Sequence, residues 1–341
     1  MSTQVNWNAF VASRRGSMQA DTVTGFGAEA AELAAARDAA ALVPLAHLGV
    51  VTVGGEDAAA FLQSQLTSDI GQVRPGAAQL SGYCTPKGRL VASLVVLLHG
   101  GEYRLVTPRA LASPLAARLR KYVLRSRVAV ADASDEIALL GVCGPRAHAV
   151  LSGQLAAVPR QLFEAAHSPQ ASIVALPGQC LLLLVDPAQL PALWDRLSPL
   201  ATPAGAAAWT WRQIRAGVAG VFPATQEAFL PQMLGMETYG AVSFQKGCYP
   251  GQEIVARTHY LGDVKRGLAR AFAPRPAQPG DSLLADDDAV AGTVAVAAPS
   301  PEGGWEMLVV VRRDALATTG LRLADGTPVR LAPELQPEGA Q

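Results

Sequence analysis

The stretch Phe244–Arg257, FQKGCYPGQEIVAR, crowds a lysine, a thiol, an aromatic ring, a carboxylate and two glycines together without the periodicity of a core element. Gly247 and Gly251 permit backbone angles closed to other residues, and Pro250 suits a turn or the first residue of a helix. A helix is therefore expected to start near Pro250. Its free amides and positive dipole end would face Cys248 and Tyr249, which favours a thiolate and makes a local anion site. Lys246 on one side and Arg257 two turns along add positive charge. The chemistry expected of such a loop is that of a reactive thiol, or of a transient ligand to iron or sulfur, since a thiolate is soft. Gln252 and Glu253 fall in the first helical turn, where a carboxylate is favoured, and are expected to fix the loop by hydrogen bonds to its backbone. For a single cysteine in a glycine-rich turn the competing explanation is packing.

The elements that must position this loop are legible in outline. Residues 1–36 are an N-terminal extension and a helix-favouring run. HLGVVTVGG (His47 to Gly55) predicts a strand, and EDAAAFLQSQLTSDI a helix whose apolar face holds Phe61, Leu62 and Leu66. The same order recurs as IALLGVCGPRAHAVLSGQL (Ile137 to Leu155), which suggests an α+β layer built twice. AAQLSGYC and RLVASLVVLLH predict strands joined at the turn TPKG, with Tyr83, Lys87 and Arg89 at its mouth. GEYRLVTP predicts a further strand, and LASPLAARLRKYVL a helix ending in the basic run Arg118, Arg120, Lys121, Arg125 and Arg127. IVALP and CLLLLV predict strands, LPALWDRLSPL a helix, and TPAGAAAWTWRQIRAG a second helix with Trp209 and Trp211 near its start and Gly217 after its end. Past Val264 short strands separated by Pro, Gly and Asp predict a small barrel, and the tail ELQPEGAQ is expected to be loose.

At 341 residues, half of them apolar and 16% charged, the chain has the composition of a globular protein of two or three domains. Lys+Arg number 28 and Asp+Glu 28, so no general attraction to nucleic acid or acidic lipid follows, and direct nucleic-acid binding is not expected. Cys84, Cys143, Cys180 and Cys248 lie far apart with no zinc or cluster spacing, so no permanently bound metal is expected. No window reaches the roughly 18 apolar residues of a membrane span. Arg14 and Arg15 are followed by no apolar run, so a signal segment is not expected. These readings predict a cytoplasmic protein with free thiols.

The string KGCYPGQE resembles the signature of the YgfZ family, folate-binding proteins of iron–sulfur cluster maturation related to the aminomethyltransferase of the glycine cleavage system. GEDAAAFLQSQLTSDI, YCTPKGRL, RQIRAGVAGVF and SFQKGCYPGQEIVARTHYLGDVKRGL extend the resemblance over at least Val51 to Arg270. It implies an α+β fold: two ferredoxin-like, aminomethyltransferase-type folate-binding lobes around a central cavity, with a small C-terminal β-barrel. The implied division is 1–36 as extension and helix, 37–263 as the folate-binding region and 264–335 as the barrel.

The resemblance also implies tetrahydrofolate as cofactor, with Trp209, Tyr83 and Arg215 as candidate contacts, and the signature residues Lys246, Gly247, Cys248, Tyr249, Gly251, Gln252, Glu253 and Arg257 as the working loop. Two departures bear on activity. The adjacent aspartates of the aminomethyltransferase hairpin are matched by Ala92 and Ser93, which cannot supply its acid–base or electrostatic help. Its pterin-holding glutamate is matched by Arg215, a residue suited instead to folate's own carboxylates. The function implied is a folate-binding accessory protein that supports assembly or repair of iron–sulfur clusters, with client enzymes or assembly proteins as partners. A tetrahydrofolate-dependent one-carbon transferase and a factor linked to tRNA modification are the alternatives.

Overall fold

The computed structural model describes residues 4–260, 262, 265–317 and 320–332. The chain forms two compact units: residues 1–62, 70–79 and 94–212 make one, and residues 63–69, 80–93 and 213–341 the other. The expected tail from Glu334 lies outside the described residues.

The N-terminal residues are built into the first unit. Helix α1 (Trp7–Ser13), capped by the Asn6 side chain, and the hairpin β1 (Ser17–Gln19)–β2 (Thr22–Gly25) deliver Trp7, Phe10, Val11 and Val23 to its core. Helix α2 (Glu29–Asp38) follows, then strands β3 (Ala41–Pro44) and β4 (Leu48–Gly54). Helix α3 (Ala58–Gln63) stops well short of the length its sequence predicts. Leu66 to Ser68 do not continue it because they are committed to the strand opposite: Leu66 bridges Tyr83, and the Thr67 N–H donates to Gly82 O at 2.9 Å.

The expected hairpin is present as β5 (Gln79–Cys84) and β6 (Leu90–His99). Next come β7 (Glu102–Pro108), α4 (Arg109–Arg120), β8 (Ala129–Asp132), β9 (Ala138–Cys143) and α5 (Ala147–Ser152). Then β10 (Ala165–His167), β11 (Ala171–Leu176), β12 (Cys180–Val185), α6 (Leu190–Leu197) and β13 (Thr202–Pro203) lead to α7 (Ala206–Arg215). One sheet of the first unit has the order β10-β11-β12-β9-β3-β13. β9 and β12 lie inside it and are buried on both faces, which is why they read as unbroken apolar runs. Helix α6 buries Leu190, Leu193, Trp194 and Leu197, the spacing of one helical face. Each such leucine contributes about 2 kcal/mol on burial. A second sheet has the order β5-β6-β7-β4-β8.

In the second unit, α8 (Gln252–Tyr260) precedes β14 (Arg266–Ala273), β15 (Ser282–Leu284), β16 (Val290–Pro299), β17 (Trp305–Arg312), β18 (Arg322–Leu323) and β19 (Arg330–Leu331). Their order is β18-β15-β16-β17-β14-β19, with both outer strands only two residues long. The C-terminal sheet is thus a curled half-barrel around Ala271, Leu283, Val294, Met307, Val309 and Val311. No helix among the described residues is long and apolar enough to cross a membrane.

Candidate functional site

Three separated stretches converge in the second unit on the loop before α8. The first is Leu66–Ser68. The Lys246 ammonium donates to Leu66 O at 2.6 Å and Ser68 O at 2.9 Å, the Ser243 N–H donates to Thr67 O at 2.9 Å, and the Thr67 hydroxyl donates to Ala241 O at 2.6 Å. The same segment is tied to β5, where the Gly82 N–H donates to Thr67 Oγ1 at 2.8 Å and the Ser68 and Ser81 hydroxyls lie 2.6 Å apart. Lys246 is held by carbonyl oxygens, which answer its charge without quenching it.

The second stretch is the turn Thr85–Arg89 between β5 and β6, closed by N–H donation from Gly88 to Thr85 O at 2.9 Å. Gly251 packs backbone to backbone against this turn. Its φ is +82°, and a Cβ there would stand 2.4 Å from Thr85 O and 2.6 Å from Gly88 N. Only glycine suits that conformation and that approach. Gly247, by contrast, has no such backbone angle, and a Cβ would meet nothing within 4 Å. The two glycines of the signature are not equivalent.

The third stretch is the loop itself. Tyr249 is buried, with the Lys246 ammonium 5.3 Å from its ring centroid, a cation–π contact. Its hydroxyl is buried with no hydrogen-bond partner among the described residues, and burial first, then Cys84 and Glu237, raise its pKa. Cys84 is buried too, and desolvation pushes its thiol up to about 12. Burial lowers the Lys246 pKa to about 8, with Asp69 opposing. Cys248, between Lys246 and Tyr249, is exposed, and it is the one cysteine of the four that is. The helix begins at Gln252, two residues after Pro250, which sits in the turn leading into it. Gln252 is half-buried, Glu253 is exposed in the first turn and Arg257 is exposed near the last. The Lys246 amine, bonded to Leu66 O and Ser68 O, anchors the loop.

The other candidates lie elsewhere. In the first unit Trp209 is 5% exposed and its ring covers Gly141, where a Cβ would stand 2.4 Å from Cε3; Trp211 is also buried. In the second unit Tyr83 is 1% exposed. Arg215 Nη1 is 3.8 Å from the buried Glu306 carboxylate, which Arg270 Nη1 approaches to 3.7 Å and to which the Ser300 hydroxyl donates at 3.0 Å. Lys87 is exposed, and the Arg89 guanidinium donates to Ala228 O at 2.7 Å. Among the described residues no group of three or more His, Cys, Asp and Glu side chains could hold a metal ion.

A family model described as the GCVT N-terminal domain matches residues 6–178. The tRNA-modifying protein YgfZ of Sodalis glossinidius is 31% identical over 83% of this chain and 88% of its own length. That of Serratia proteamaculans is 30% identical over 85% and 90%. The chain belongs to the YgfZ family. The glycine cleavage system aminomethyltransferase T of Bartonella henselae superposes with a TM-score of 0.81 over 98% of each chain, and at 17% identity this shows a shared fold. In this YgfZ-family chain the Ala92 position is buried, and the Ser93 hydroxyl accepts a hydrogen bond from the Val221 N–H at 2.9 Å. Ser93 is occupied with holding the chain that follows α7.

Sequence reasoning misses the anchoring role of Leu66–Ser68, because the run EDAAAFLQSQLTSDI predicts a helix throughout. It also misses Glu306. The signal was available: a lone carboxylate inside WEMLVVV, an otherwise apolar strand, is a buried charge that needs partners.

Proposed function

We propose that this YgfZ-family protein is a folate-binding accessory factor that supports assembly or repair of iron–sulfur clusters in client enzymes, through Cys248. The observation that carries the reading is a single exposed thiol on a loop anchored at Leu66, Ser68 and the Thr85–Arg89 turn. An anchored backbone presenting an exposed soft ligand suits brief contact with an iron or sulfur atom that must then be passed on. A closed ligand set would retain it. Lys246 keeps the loop in register, Gly251 allows it to approach the turn, and Tyr249 roots it in the core.

Folate fits this chain in part. Its acidic tail suits Arg215, whose side chain is 33% exposed although it faces Glu306. Tyr83 and Trp209 are the proposed aromatic contacts, and stacking on either ring requires a side-chain movement, because both are closed over by their own units. Tetrahydrofolate, when bound, supplies a one-carbon carrier. The alternative, a tetrahydrofolate-dependent one-carbon transferase, is favoured by the aminomethyltransferase fold and disfavoured by Ala92 and Ser93. The relatives are called tRNA-modifying proteins, which fits a link in which the client is an iron–sulfur enzyme that modifies tRNA.

The test is complementation. Cells lacking this protein receive the wild-type or the Cys248→Ser chain, and cluster-dependent modified nucleosides are measured in their tRNA. The variant is expected to restore little, and full restoration overturns the role of the thiol. Purified protein incubated with tetrahydrofolate and an aminomethyl donor is expected to give no multiple turnovers of methylenetetrahydrofolate; sustained turnover would make it a transferase.

A further inference from the structure

The first unit holds a second pair of thiols that the proposed function does not use. β9 and β12 run antiparallel with Cys143 directly opposite Cys180, the last residue of one strand facing the first of the other. Residues so paired project to the same face with Cα atoms about 4.5–5.5 Å apart, inside the range a disulfide needs. The neighbouring Cys180 side chain first, then burial, raises the Cys143 pKa well above its ordinary value, with Arg212 opposing.

The surroundings are arranged around the pair. Cys143 Sγ lies 4.0 Å from Ala208 O on α7, and Cys180 Sγ lies 3.5 Å from Gly178 O. Arg212, also on α7, donates from Nε to Gly178 O at 2.7 Å and from Nη2 to Gln179 Oε1 at 2.9 Å, so the β11–β12 turn is clamped to that helix. Gly178 and Gln179 both have positive φ, at 80° and 55°. A small oxidant reaches thiols that are 0% and 1% exposed only when this turn opens locally, with release of the Arg212 bonds to Gly178 and Gln179.

We propose that Cys143 and Cys180 form a reversible redox site, closing to a cross-strand disulfide when a peroxide reaches the opened turn. Once the turn has opened and water reaches the sulfur, one thiol gives up its proton, the sulfur attacks one peroxide oxygen, the O–O bond breaks, and the released hydroxide takes up that proton to leave as water. The resulting sulfenic acid is attacked by the neighbouring sulfur, the S–S bond forms, the S–O bond breaks, and a second water leaves. Two thiols and one hydrogen peroxide thus give one disulfide and two waters. Closure fastens β9 to β12 beneath α7, on the face where Trp209 covers Gly141.

The experiment uses the full reduced chain, freed of reductant and treated with excess hydrogen peroxide while its circular dichroism stays native. Remaining thiols are then blocked with N-ethylmaleimide and the peptides mapped by mass. The expected result is a linked Cys143–Cys180 peptide pair, abolished by Cys143→Ser, reversed by dithiothreitol, and accompanied by a raised thermal midpoint. The proposal is overturned if both cysteines are recovered blocked by maleimide after Cys248 has been consumed. It is equally overturned if Cys180 is recovered as sulfinic acid or linked to any other cysteine.

Discussion

The Lys246 ammonium lies 2.6 Å from the carbonyl oxygen of Leu66, a residue 180 positions earlier in the chain. This bond, with its partner to Ser68, makes the signature loop part of the same framework as the segment after α3, which is itself bonded to β5. Burial of the amine lowers its pKa from 10.5 to about 8. Below about pH 8 the folded and unfolded states both carry the ammonium, and the desolvation cost is present in full. Between about 8 and 10.5 the unfolded chain binds the extra proton, so stability rises with pH across that window and is level below it. Denaturant unfolding of wild type and Lys246→Met between pH 7 and 10 isolates the effect, since other groups cancel in the difference. The difference should move in favour of wild type as pH rises; a flat difference would mean that Lys246 does not titrate there.

Gly251 and Gly247 separate when each is changed to alanine. Gly251→Ala puts a Cβ into the Thr85–Gly88 backbone from a left-handed conformation and is expected to cost about 1–3 kcal/mol or more. Gly247→Ala enters open space and should fall within about 0.5 kcal/mol of wild type. Denaturant midpoints of the two variants, measured together, give the comparison.

Ser93→Ala removes the acceptor for the Val221 N–H, and Val221 is fully buried. A buried donor left without its partner costs about 1–3 kcal/mol. The loss should appear in unfolding midpoints, with cluster-dependent tRNA modification retained in complemented cells, because the hydroxyl is a structural group.

Native alkylation with iodoacetamide should label Cys248 first. Cys84, Cys143 and Cys180 are buried and react only through opening, and an opening that costs about 3 kcal/mol slows labelling by roughly 100-fold. Quenched time points mapped by mass give the order; early labelling of Cys84 would contradict its buried, high-pKa setting.

The sequence by itself determined what depends on local pattern. Alternating and continuous apolar runs marked β4, β9, β11, β12 and the half-barrel strands, the apolar face of LPALWDRL marked α6, and the string KGCYPGQE marked the family and the loop, because burial periodicity and turn chemistry are written within a few residues. Tertiary structure alone decided the rest. QSQLTSDI has a helical composition, yet Leu66–Ser68 leave the helix because their carbonyls are taken by Lys246 and the Ser243 N–H, and the Thr67 N–H donates to Gly82 O on β5. The two signature glycines look alike in sequence and differ only because one meets the backbone of a distant turn. The burial that separates Cys248 from the other three cysteines, and the register that sets Cys143 opposite Cys180, come from contacts between residues far apart in the chain, which no local pattern encodes.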